Sequence, residues 1–182
     1  MKWLKWLLGI VIILVILVVG FLAYLGYFST PQVSEQKIGP LAFVYEPYVG
    51  EYKNTYLIFD KLNKALKADG IVAVAGIGIY YDDPKIVAAD QLRSDIGLII
   101  AEKDSGKIFA LGKKYRFKRM GQRNSMVVEF PIRNIFSYMI GPSKAYPALT
   151  SYLQAKNYKM TNPFELYDMK NGKILYVMEI IK

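Results

Sequence analysis

Side chains that could do chemistry are few in this 182-residue chain, and the missing ones are as informative as those present. There is no histidine and no cysteine. That removes the usual general base, the thiolate nucleophile and the commonest metal ligands, and argues against a triad hydrolase, a zinc enzyme or a His-ligated haem protein. Carboxylates and phenols remain. Glu165 lies in the strand-like stretch Pro163-Phe164-Glu165-Leu166-Tyr167. In a poorly hydrated cleft its carboxyl pKa would rise on burial and fall when a cation binds. Such a group orients a cationic ligand or acts as a general base on water. Glu165 could equally sit on the wet face of a hairpin, with Phe164, Leu166 and Val177 toward the core. Asp82-Asp83 resembles a metal pair, but Asp before Pro84 favours a turn, because its side chain bonds nearby backbone. For Arg93 an internal pair with Asp82, Asp83 or Asp95 is expected over an anion site. Most of the 15 tyrosines are expected in strands and core.

The chain is basic, with 24 Lys and Arg against 15 Asp and Glu, a formal net charge of +9. Much of the excess falls in Lys113, Lys114, Arg116, Lys118, Arg119 and Arg123. In Lys114-Tyr115-Arg116-Phe117-Lys118 charges alternate with aromatics, the period of a strand with one wet face. A solvated face is the expectation. Attraction to anionic lipid headgroups or to a protein partner is the alternative. No nucleic-acid-binding signature is present, and no cofactor or metal is implied.

The elements that must hold these residues begin with an anchor. Leu7–Phe28 carries no charge, and a bilayer core needs about 20 apolar residues in a helix. The segment therefore reads as a single transmembrane span. It is longer than the about 7–15 apolar residues of a signal peptide, and no small-residue cleavage site follows. Trp3, Trp6, Tyr24 and Tyr27 lie near its ends, where amphipathic rings favour the interface. Lys2 and Lys5 precede it and only Lys37 follows closely. The positive-inside tendency then keeps the N-terminus cytoplasmic and the domain outside.

Residues 29–37 read as a polar linker that holds the domain off the membrane. Leu41–Tyr45 is a predicted strand and Tyr52–Ala68 a helix stopped at Gly70. Ile71–Val74, Gly76–Tyr81 and Ile96–Ala101 follow as strands. Ile108–Leu111, Tyr115–Met120, Met126–Phe130 and Asn134–Ile140 also read as extended. Gly141-Pro142 should end the last of these. A helix from about Lys144 or Tyr146 to Lys156 follows, with Pro147 tolerable only in its first turn. Pro163–Met169 and Ile174–Ile181 form a hairpin about Asn171-Gly172. Strand, helix, strand, strand thus occurs twice, over about 38–101 and 132–182. The fold class is α+β: an N-terminal transmembrane helix plus a duplicated strand-helix-strand-strand domain, with a cleft between the two modules. Clefts between packed units are common ligand sites.

Gly78-Ile79-Tyr80-Tyr81-Asp82-Asp83-Pro84, then Leu92-Arg93-Ser94-Asp95-Ile96-Gly97, then Pro163-Phe164-Glu165-Leu166-Tyr167 resemble, in that order, the GyrI-like family of effector-binding domains. The resemblance covers about Ile38 to Lys182. Tyr146-Pro147-Ala148-Leu149-Thr150-Ser151-Tyr152 and the Tyr80-to-Pro84 stretch are also similar to a membrane-anchored branch that includes an ER-phagy receptor. Neither autophagy nor its partners carries over from that branch. The family resemblance implies a GyrI-like fold with small amphipathic or cationic molecules held between the modules. It implies Glu165 as the pocket carboxylate, with Tyr81, Tyr167 and Tyr138 as aromatic walls. The expected function is a membrane-tethered domain that binds or senses such molecules. Two alternatives stand beside it: a small-molecule hydrolase using Glu165 as general base, and a protein-interaction module. Family hydrolases use a Trp with that Glu. Both tryptophans here, Trp3 and Trp6, lie at the anchor, so no catalytic residue is assigned.

Overall fold

The computed structural model describes residues 2–28 and 30–181. The Lys2 side chain, on which orientation partly rests, lies outside the described residues, as do Ser29 at the start of the predicted linker and Lys182 at the end of the predicted domain. Helix α1 runs Lys2–Tyr24. Its Trp3–Tyr24 portion is the one helix among the described residues long and apolar enough to cross a membrane. It ends four residues earlier than predicted. Gly26 takes φ 80°, and the amides of Gly26 and Tyr27 donate to the carbonyls of Ala23 and Leu22 at 3.0 Å each. This is the paired closure of a helix by a left-handed glycine.

Eight strands form one antiparallel sheet in the order β1-β6-β8-β7-β3-β4-β2-β5. The strands are β1 Val33–Ile38, β2 Leu41–Val49, β3 Ala73–Tyr80, β4 Arg93–Ile100, β5 Arg116–Met120, β6 Arg123–Pro131, β7 Phe164–Asp168 and β8 Lys173–Glu179. Helix α2 (Tyr56–Ala68) packs on β3 and β4, and helix α4 (Ser137–Lys156) on β6 and β8. The units β2-α2-β3-β4 and β6-α4-β7-β8 share one connectivity and meet where β3 pairs with β7.

Four expectations are corrected. The predicted linker contains β1, which pairs with β6 from Val33↔Val128 to Ile38↔Arg123. A polar edge strand has no apolar alternation to announce it. Its Glu35 accepts hydroxyl bonds from Tyr152 and Tyr158, both at 3.0 Å. Ile108–Leu111 is not extended: Ile108 lies in the short helix α3, Ser105–Ala110, and Asp104 just before it pairs with Lys107 (i,i+3) at 2.9 Å. Asn134–Ile140 is not a strand either. Asn134 Oδ1 accepts the Phe136 amide at 2.9 Å, an Asx turn that launches α4.

The fourth correction concerns the prolines. Both Pro142 and Pro147 lie inside α4, where each removes a backbone hydrogen bond. Packing outweighs that loss. Gly141, Ala145, Leu149 and Leu153 recur every four residues, and all are buried. The last three pack with Met126, Val128, Phe130, Ile174, Tyr176 and Met178. On the other face of the sheet Phe43, Ile77, Ile79, Ile99, Val127, Phe164, Leu166 and Val177 form a separate apolar core.

Candidate functional site

The centre of the sheet carries glycine where a core strand would carry bulk. β3 reads Ala-Val-Ala-Gly-Ile-Gly-Ile-Tyr, and Gly76, Gly78 and Tyr80 share one face by the period of two. A Cβ on Gly76 would lie 3.0 Å from the Phe59 ring, and one on Gly78 would lie 2.8 Å from the Tyr80 hydroxyl. Glycine in a strand interior often marks such close approach. Across the β3/β7 seam Gly78 faces Glu165 and Gly76 faces Tyr167. On its other side Glu165 faces Tyr176 of β8. The carboxylate thus stands at the midpoint of the sheet, between the helices of the two units.

Glu165 is 6% exposed. Tyr146 of α4 donates to its Oε1 at 2.6 Å, and Tyr167 donates to its Oε2 at 2.6 Å. The hydroxyls of Tyr80 and Tyr167 lie 2.8 Å apart. Since the Tyr167 proton is committed to Glu165, Tyr80 is the donor in that pair. The network therefore converges on one carboxylate, Tyr80 to Tyr167 to Glu165 from one side and Tyr146 from the other. Bonds to an ionised group contribute about 1.5–3 kcal/mol each. Burial nevertheless dominates: it raises the Glu165 pKa, against the lowering effect of Tyr146 and Tyr167. Burial followed by the Glu165 charge pushes Tyr146, Tyr167, Tyr80 and Tyr176 upward as well. The Tyr176 hydroxyl is buried with no hydrogen-bond partner among the described residues.

The Tyr167 ring bridges the two units. Phe59 of α2 meets it edge-on at 5.2 Å between centroids, and Tyr138 of α4 lies 6.2 Å away on a tilted plane. Tyr52 packs edge-on against Tyr80 at 4.7 Å. Aromatic rings thus pack around the Glu165 carboxylate between the two units, and Tyr138 among them is half-buried. The Tyr138 hydroxyl donates to the Met169 sulfur at 3.5 Å.

Of the residues singled out in the sequence, Glu165, Tyr167 and Tyr138 come together here. Tyr81 does not. It follows Tyr80 on the opposite face, donates to Asp95 Oδ2 at 2.7 Å, and lines a cavity of about 320 Å³ with Lys118, Arg119 and Arg123. Tyr80, Tyr146, Tyr52, Phe59 and Tyr176 complete the site and were not singled out as pocket residues. The alternating glycines of β3 were the available signal. Asp82 and Asp83 are structural: Asp82 accepts Arg93 Nη2 at 2.8 Å and Nε at 3.0 Å, and Asp83 caps the turn through the Lys85 amide at 2.9 Å. The basic strand is largely engaged internally, with Arg119 on Glu102, Lys114 on Asp69 and Lys118 over the Tyr45 ring.

No known family's sequence profile matches the chain. The human testis-expressed protein 264 is 27% identical over 97 residues. Those residues are 50% of this chain and 31% of that protein, so the chain spans about a third of this curated relative's length. Solved structures resemble it over nearly the whole domain. The C-terminal domain of EcmrR matches with a TM-score of 0.60 at 12% identity, covering 84% of this chain and 98% of that one. SAV2435, solved bound to tetraphenylphosphonium, matches at 0.53 and 12% identity, covering 82% and 94%. A hydrolase from Listeria innocua matches at 0.50 and 12% identity, covering 88% and 98%. EcmrR and SAV2435 are GyrI-like fold members, and at these identities the likeness is one of fold.

Proposed function

We propose that this chain is a membrane-tethered domain that binds small amphipathic cations in the cleft around Glu165, and that its two units arose by duplication of one module. The observation that carries the reading is a nearly fully buried carboxylate ringed by aromatic side chains and, among the described residues, in no salt bridge. Ion-pairing with a bound cation would offset the cost of ionising Glu165. Each ring face would add about 0.5–2 kcal/mol of cation–π attraction. The unpaired Tyr176 hydroxyl is a further polar group available to a guest. The rings fill the cleft, so Tyr80 or Tyr138 would swing aside as a guest enters. SAV2435 holds a lipophilic cation, which suits the same chemistry on the same fold.

The test is calorimetric titration of the full chain in lipid nanodiscs with tetraphenylphosphonium. Saturable binding that weakens about tenfold or more in Glu165→Gln, as loss of a charge-assisted contact would require, supports the reading. Binding indifferent to that change sinks it. Turnover of a strained or ester substrate that vanishes in Glu165→Gln would assign Glu165 as a general base instead.

The tether is α1, uncleaved, with the N-terminus cytoplasmic on the strength of Lys2 and Lys5. A reporter fused after Lys182 should be active only outside the cytoplasm. A cytoplasmic signal would reverse the topology.

A further inference from the structure

We propose that the α4 edge of the domain is seated in the lipid interface, so that the Tyr138 end of the cleft opens onto the membrane. The inference rests on reading α1 as the anchor, and on how α1 meets the domain. Phe21, three residues inside the end of the helix, packs edge-on against Phe136 at 6.2 Å between centroids. Arg133 donates to the Tyr24 carbonyl and lies over the Tyr24 ring at 5.6 Å. Lys144 lies over the Tyr27 ring at 4.9 Å. Leu25 is buried. At a rise of 1.5 Å per residue, Phe21 sits about 4.5 Å deeper along the span than Tyr24. A side chain in contact with Phe21 cannot be held clear of the bilayer that Phe21 enters.

The surface around this contact has the composition an interface requires. Ile135 and Met139 are each 71% exposed, and Phe136 beside Phe21 is still 45% exposed, a cluster of large apolar groups open at the surface. Arg133 and Lys144 flank it, and cations beside apolar anchors suit a headgroup layer. At the exit from α1, Leu25 and Gly26 are buried, so the end of the helix is packed on the domain. Tyr138 belongs to the same first turn of α4. It faces inward to Tyr167, while its neighbours Phe136 and Met139 are exposed. A guest concentrated in the bilayer would therefore reach Tyr138 without crossing bulk water.

The chain has no cysteine, so single-cysteine variants report one position each. Full chain carrying Met139→Cys or Phe136→Cys, labelled with an environment-sensitive fluorophore, is reconstituted in phosphatidylcholine vesicles with a fraction of phosphatidylserine. Met160→Cys is the distal control. It is exposed and lies beyond the far end of α4, a helix of about 30 Å at 20 residues. Val15→Cys reports the anchor itself. The expected result is a blue-shifted signal at 136 and 139, quenched by nitroxide on the lipid chains and protected from aqueous iodide, with the opposite pattern at 160. If Val15→Cys is lipid-quenched while 136 and 139 behave like 160, the anchor stands and the seated edge is overturned. If Val15→Cys is itself open to iodide, the anchor reading falls and the inference with it.

Discussion

The two faces of the central strand pair differ more than any two distant parts of the molecule. On one face of β3 and β7 stand Ile77, Ile79, Phe164 and Leu166, joined by Phe43, Val127 and Val177 in an unbroken apolar core. On the other stand Gly76, Gly78, Tyr80, Glu165 and Tyr167, a face that buries a carboxylate under phenols. Consecutive residues of one strand thus do opposite work. The apolar face holds the two units together, so the polar face is free to be poor as a core. Glycines leave room there, and tyrosines satisfy the charge at some cost in packing. If the proposed binding falls on the Glu165 face, substitutions at the centre of the sheet should separate it from the stability held by the apolar face.

The largest contrast should come from Phe164→Ala beside Glu165→Gln. Removing a buried ring from the apolar face costs about 3–5 kcal/mol, through lost burial and the cavity left behind. In urea unfolding of the detergent-solubilised chain, Phe164→Ala should show that loss while Glu165→Gln stays near wild type. Equal losses would mean that both faces are core and that the division is false. Next in size is Gly141→Ala. Its new methyl would collide with the Tyr176 hydroxyl, and overpacking of this kind costs about 1–3 kcal/mol. Unchanged stability there would show that Tyr176 yields, which would itself mark the cleft side as adaptable.

Smaller still is Tyr138→Ala. The ring is half-buried beside Tyr167, so the melting temperature should hardly move. Affinity for tetraphenylphosphonium should fall by the about 0.5–2 kcal/mol of one cation–π contact. A large stability loss with unchanged affinity would move Tyr138 from the cleft to the core.

The same two faces explain what the sequence disclosed. Apolar alternation marked most of the inner strands, and Gly70 (φ 67°) and Gly172 (φ 61°) stop α2 and turn the last hairpin where they were expected. These signals are local. The face on which Glu165 stands is not, because it depends on β7 pairing with β3, a strand more than eighty residues away, in a register that puts Gly78 opposite. A shift of one residue reverses every side chain. The family resemblance implies Tyr81 as a pocket wall, whereas the structure puts it on the opposite face with Asp95. β1 was missed because its residues, Val-Ser-Glu-Gln-Lys-Ile, gain their order from a distant partner. The start of α4 was missed because Gly141-Pro142 reads as a break after a strand, whereas the buried Gly141-Ala145-Leu149-Leu153 stripe decides the helix.

The most discriminating measurement is the pH dependence at Glu165. Burial raises its carboxyl pKa in the folded state, so the folded domain holds that proton more tightly than the unfolded chain does. The stability this proton contributes is complete below the ordinary carboxylate range, and is lost as pH rises through the raised folded value. Gln does not ionise, so Glu165→Gln carries no such loss. The difference in unfolding free energy between variant and wild type should shift in favour of the variant as pH climbs from acid toward neutrality. Using that difference removes the opposite trend of Asp69, Asp82 and Asp168, whose pKa values are lowered by their hydrogen-bond partners. A bound cation should oppose this trend. It favours the ionised carboxylate, so tetraphenylphosphonium should bind more tightly as pH rises, and the gap between variant and wild type should close when the cleft is saturated. A gap that moves toward wild type with rising pH in the free protein would mean that Tyr146 and Tyr167 stabilise the charge more than burial penalises it. The cleft would then be preorganised for an anionic Glu165 before any guest arrives.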